Sequence, residues 1–257
     1  MKYDELQRIP VYPSSPEQEK SDYSRFLIDS GNWNFRRSLM TWFSLSLLLL
    51  FYPGVSLAFM VDPSELATLL NDTVLMLTLI STIIMQWSIF LVLYVTTYRE
   101  QTGLRGIGFT RIRGIYVAWA VAFLLASNLI LAGLAWVLAQ VGLPMPGEIK
   151  FLIPTDPTGR VVWVIVSITA GICEETAFRG YLMTRLRILG KTGNWLVPTV
   201  VSAAIFGACH AYQGIPGFIL ISVYGAMFSW LYIRTGSLWP GIIAHSLQDL
   251  GALLYPH

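Results

Sequence analysis

The sequence predicts an all-α protein, a polytopic membrane bundle of about seven to eight transmembrane helices. Two observations carry this. Of 257 residues, 54% are hydrophobic and only 12% charged, about half the charged share of an ordinary soluble domain. So few charges cannot cover a water-facing surface. The apolar residues also gather into blocks close to the roughly 20 residues that a spanning helix needs. A net charge of +2, with no basic stripe or RNA-binding pattern, gives no reason to expect a nucleic-acid partner. The expected surroundings are the lipid bilayer.

Residues 1–38 are polar, with Pro10, Pro13 and Pro16 among mixed charges. No short apolar core precedes a small-residue cleavage site, so the stretch reads as a cytoplasmic tail and not as a secretory signal. Residues 39–257 then form the transmembrane domain. Its expected spans are Leu39–Met60, Thr73–Tyr98, Ile115–Val141, Val161–Phe178, Leu196–Tyr212, Pro216–Ile233 and Leu238–Leu254. The first three are long and clean, and the last four are shorter.

Basic residues alternate between the connections. Arg36 and Arg37 precede the first span, and the first connection holds only Asp62, Glu65 and Asp72. The second carries Arg99, Arg105, Arg111 and Arg113; the third, rich in Pro and Gly, has Lys150 and Arg160. The fourth has Arg179, Arg185, Arg187 and Lys191, the fifth none, and the sixth Arg234. Positive residues mark the cytoplasmic side, which predicts an N-terminus inside. The glycines of Thr102–Arg113 follow no strand, so this segment reads as an amphipathic interfacial turn and not a nucleotide loop. Cys173 and Cys209 lie in apolar runs and read as small buried hydrophobes.

Ionisable groups inside a bilayer are costly and are functional candidates by default. This chain has Glu174 and Glu175 in the fourth span with Arg179 just past its end, His210 in the fifth, and His245 and Asp249 in the seventh. If 161–189 is one helix, Glu174 lies 15 residues before the turn and His210 lies 15 after it. An antiparallel hairpin then brings both to one depth, roughly 22 Å from the turn at 1.5 Å per residue. His245 reaches that depth from the same side, and Asp249 follows one helical turn along. Glu175 and Arg179, four apart with the acid first, suit a helical ion pair. A carboxylate beside imidazoles in a partly dry pocket suits water activation, and a nearby donor would hold an oxyanion.

CEETAFRGYL at 173–182, FGACH at 206–210 and HSLQD at 245–249 resemble the EExxxR, FxxxH and HxxxN/D motifs of the CAAX prenyl-endopeptidase and bacteriocin-processing (CPBP, or Abi) intramembrane proteases. The resemblance covers about residues 161–250, and the earlier spans match only as generic membrane helices. It implies that Glu174 and His210 activate the attacking water while His245 and the residue at 249 stabilise the oxyanion. Glu175, Arg179 and Phe206 are then supporting motif positions. Many members carry Asn where this chain has Asp249. An ionised Asp accepts and cannot donate, so it fits better as an orienter of His245.

The expected cofactor is none, although Glu174, His210, His245 and Asp249 also make a two-His, two-carboxylate set for zinc. The expected substrate is a membrane-associated or lipidated polypeptide. Two other classes use the same buried groups: a transporter with a proton relay and a scaffold in which they only join helices. No inverted repeats or paired broken helices favour a transporter.

Overall fold

A computed structural model describes residues 36–58, 71–145, 153–190 and 194–254. The expected polar tail lies outside the described residues up to position 35, as do Asp62, Glu65, Lys150, Lys191 and His257. The described residues form seven helices in sequence: α1 (Leu39–Ala58), α2 (Asp72–Arg99), α3 (Ile115–Gln140), α4 (Pro157–Leu189), α5 (Leu196–Ala208), α6 (Ala211–Thr235) and α7 (Trp239–Gly251). This is the all-helical bundle that the apolar blocks predict.

The starts follow local chemistry. Ser38 and Thr41 form a reciprocal capping box before α1, and the Asn71 side chain accepts from the Val74 amide before α2. Asp156 caps α4 through the Gly159 amide, with Pro157 in the first turn, where its missing N–H costs nothing. α6 ends on Gly236 at φ 65°, a left-handed position that glycine adopts without steric cost.

Five helices, α1 to α4 and α6, are long and apolar enough to cross a membrane. The chain is an integral membrane protein. Its lipid-facing side is plainest on α3, where Leu125 is 72% and Leu129 77% exposed. α5 and α7 have 13 residues each, about 20 Å of helix. The expected span Leu196–Tyr212 therefore ends early, because Cys209 and His210 leave the helix and Ala211–Gln213 turns into α6.

α4 is the hub. It packs against α2, α5 and α7 and runs 33 residues, about 50 Å, so it extends beyond a 30 Å hydrocarbon core. From Glu175 to Met183 it is π-helical, as is a shorter stretch of α1 at Leu47–Phe51. Such insertions are frequent at functional sites.

Two basic residues expected in the fourth connection are not loop charges. Arg179 and Arg185 are buried in α4, at 1% and 0% exposure. Arg185 pairs with Glu100 at the end of α2, and that carboxylate also accepts from Thr41 of α1 and Tyr181 of α4. The segment after α2 is amphipathic, as expected, with Arg105, Arg111 and Arg113 exposed and Ile107 buried. It also locks into the bundle. Leu238 donates its amide to the Gly108 carbonyl, Tyr232 its hydroxyl to Ile107 O, and Trp239 its indole N–H to Thr110 O. The basic ends of α2 and α6 consequently meet on one side of the bundle.

Candidate active site

The hairpin of α4 and α5 has the register that the spacing predicts. Phe178, four residues after Glu174, faces Phe206, four before His210, with ring centroids 5.0 Å apart. Further along, the Ser202 hydroxyl donates to Phe178 O at 2.9 Å. His210 nevertheless lies beyond the end of α5, at φ −114°. Its Nδ1 sits 2.9 Å from Phe206 O. A carbonyl only accepts, so Nδ1 carries a proton, and in the neutral imidazole Nε2 is then the acceptor. No direct hydrogen bond joins His210 to Glu174 among the described residues. Phe206 stands between the imidazoles, 4.9 Å from the ring of His210 and 6.2 Å from that of His245.

His245 is the histidine nearest the carboxylates. Its Nδ1 donates to Glu175 Oε1 at 3.1 Å. Its Nε2 lies 3.8 Å from Glu174 Oε2 and 3.7 Å from Asp249 Oδ2. Asp249 is on the same face of α7 one turn on, as its spacing predicts, and is about a third exposed. Close approach of α7 to α4 makes this possible. A Cβ on Gly241 would sit 2.9 Å from Glu175 Oε2, and one on Gly171 would sit 2.9 Å from Ile242 O and closer still to Ser246 Oγ.

Glu175 also accepts from Arg179 Nη1 at 2.9 Å, the helical ion pair that the four-residue spacing predicts. The guanidinium lies over Phe206 at 4.3 Å and Phe228 at 5.0 Å, and Nη2 donates to Gly225 O at 3.3 Å. Two aromatic faces and a carboxylate thus stabilise a charge that is out of water. Glu175 is more than half of a clamp, because it also fixes the tautomer and tilt of His245. The small residue at 241, one turn before His245, is the sequence signal that a side chain from another helix passes there.

Glu174 is 7% exposed. Its Oε1 accepts from Gln86 Nε2 of α2 at 2.7 Å, while Oε2 is buried with no hydrogen-bond partner among the described residues. Gln86 went unseen in the sequence, since it is one amide in a long apolar helix and meets Glu174 across 88 positions. Glu174, Glu175, Arg179, Phe206, His245 and Asp249 are therefore gathered around one point, with His210 joined to them through Phe206. As ligands they fit poorly: no group of three His, Cys, Asp or Glu among the described residues is arranged to hold a metal.

Residues 156–251 match the family described as type II CAAX prenyl endopeptidase, Rce1-like. The matched stretch runs from the cap of α4 to the end of α7 and contains every candidate site residue named from the sequence. It agrees with the resemblance carried by the three motifs. No curated protein and no solved structure matches the chain. The Rce1-like family is one of proteases. Gln86 lies outside the matched residues.

Proposed function

We propose that the chain is an intramembrane endopeptidase, cutting a membrane-associated or lipidated polypeptide with water activated by Glu174. One observation carries this: a buried carboxylate in the Rce1-like segment keeps one oxygen, Oε2, without a protein donor. Buried polar atoms in native structures nearly always find partners, and an O–H of the attacking water supplies one.

Glu174 takes a proton from that water as its oxygen attacks the scissile carbonyl carbon. The C=O π pair moves onto oxygen to give a tetrahedral oxyanion. Collapse re-forms the carbonyl, breaks the C–N bond and returns the proton from Glu174 to the leaving amine. His210, with Nε2 unprotonated, assists by accepting from the water. His245, anchored through Nδ1–H to Glu175, offers Nε2–H to the oxyanion in its charged form. Asp249 faces that imidazole at 3.7 Å and orients it.

This reading needs no metal, because Glu174 itself takes the proton of the attacking water. The N-terminus is cytoplasmic in this reading, since Arg36, Arg37, Arg99, Arg105, Arg111, Arg113 and Arg234 belong to the basic end of the bundle. The test is mass spectrometry of membrane-protein termini in cells carrying wild type or Glu174→Ala. Termini found only with wild type support the proposal, and their identity names the substrate. Equal termini with both proteins, at equal expression, would overturn it. Cleavage that stops with a chelator and returns with zinc would replace the metal-free mechanism.

A further inference from the structure

Glu174 projects from α4 into the interior, and burial alone does not choose which of its oxygens faces the reaction. That choice is made by α2, a helix outside the Rce1-like segment. Gln86 is 4% exposed, and its amide nitrogen lies 2.7 Å from Glu174 Oε1. An ionised carboxylate only accepts, so the nitrogen must be the group that faces it. With Oε1 held, the carboxylate plane is fixed and Oε2 is turned to the side of His245, 3.8 Å from Nε2.

A primary amide in an apolar helix is expensive unless bonded. An interhelical hydrogen bond in a membrane returns little stability, on average, in measured cases. Gln86 Oε1 meets no donor in good hydrogen-bond geometry among the described residues, and the other polar side chain interacting with this amide is Tyr52 of α1. A residue kept only to join α2 to α4 would gain more from apolar contact. Trp87, beside it, already ties the same two helices through Nε1 to Thr169 Oγ1 at 3.2 Å.

We infer that Gln86 is a positioning residue for the reaction: its amide N–H holds Glu174 Oε1 so that Oε2 receives the proton of the attacking water. The inference rests on the reading of Glu174 as the base. It makes α2 a contributor to the reaction, so that the site is divided between an Rce1-like segment and a helix from outside it.

The test compares wild type, Glu174→Gln, Gln86→Met and Gln86→Asn in detergent, using an internally quenched farnesylated CAAX peptide or a peptide spanning a terminus identified by mass spectrometry. Methionine keeps the length of the side chain without the donor. Asparagine keeps the amide but falls one methylene short of Oε1. Both should lower kcat about 10–100-fold, the scale of a misplaced reacting group, with KM and the thermal midpoint near wild type. A purely structural role would lower the midpoint and leave kcat per folded molecule unchanged, which overturns the inference. Should Gln86→Met not fold, Gln86→Asn decides alone, and wild-type kcat in it overturns the inference. Full activity in Glu174→Gln sinks the parent reading. Loss there with wild-type kcat in both Gln86 variants sinks only this one.

Discussion

α4 carries two buried charge clusters, and they are finished differently. At its basic end Glu100 has donors on both oxygens: Thr41 and Tyr181 on Oε1, Arg185 Nε and Nη2 on Oε2. Arg185 further bonds Thr102 and Thr184 and stacks at 4.6 Å on Tyr181. In the middle of α4, Glu174 keeps a bare Oε2, Arg179 a bare Nε, and His245 Nε2 stands 3.7–3.8 Å from two carboxylates, outside hydrogen-bond reach. The first cluster closes its hydrogen bonds, while the second leaves polar atoms open, as the proposed reaction requires.

The sharpest way to break this contrast is to make the same change in both clusters. Glu174→Gln should lower cleavage about 10²–10⁴-fold, the usual contribution of a general base, with little change in thermal midpoint. Glu100→Gln should do the reverse, and similar losses of activity per folded molecule would erase the distinction. Next in size, Arg185→Met strands a buried carboxylate and should cost about 3–5 kcal/mol of stability. Adding Glu100→Leu should recover most of that in an unfolding titration, because the orphaned charge is then gone.

Gly171→Ala probes how closely α7 is held to α4. Its Cβ would lie 2.9 Å from the Ile242 carbonyl, so the helices must separate, at about 1–3 kcal/mol. His245 would be displaced with α7, so activity should fall further than stability does. The smallest effect belongs to Asn128 and Gln248, an exposed amide pair at 2.8 Å between α3 and α7. Asn128→Leu should change the midpoint by only about 0.6 kcal/mol, the average for such bonds. A larger change would mean that polar contacts on the lipid face matter as much as those inside.

Much of this was legible in the sequence, for physical reasons. Apolar blocks report helices because a bilayer leaves the backbone few alternatives. The 15-residue symmetry of Glu174 and His210 about their turn holds as register, in the Phe178–Phe206 pair. What it missed is instructive. His210 falls past the end of α5 because the chain turns there, so matched depth did not bring direct contact. Arg185 looked like a loop charge, since an arginine near the end of an apolar run reads alike whether it reaches water or folds inward, whereas the pairing of Arg179 with Glu175 was legible in their spacing. The acidic partner decides, and Glu100 is 85 positions from Arg185. Gln86 was silent because α2 is otherwise apolar and its partner lies in another helix.

The π-helical stretch of α4, from Glu175 to Met183, carries Glu175 and Arg179 of one cluster and Tyr181 of the other, and ends two residues before Arg185. A π-turn advances the chain around the axis by less per residue than an α-turn does. The number of residues in that form therefore sets the azimuth of Arg185 relative to Glu174. The stretch works as a vernier, bringing one carboxylate to α7 and α2 while the arginine below it meets Glu100. Deleting a residue there would turn Arg185 about the helix axis relative to Glu174 and leave both ends helical. Only one of the two clusters would then face its partners.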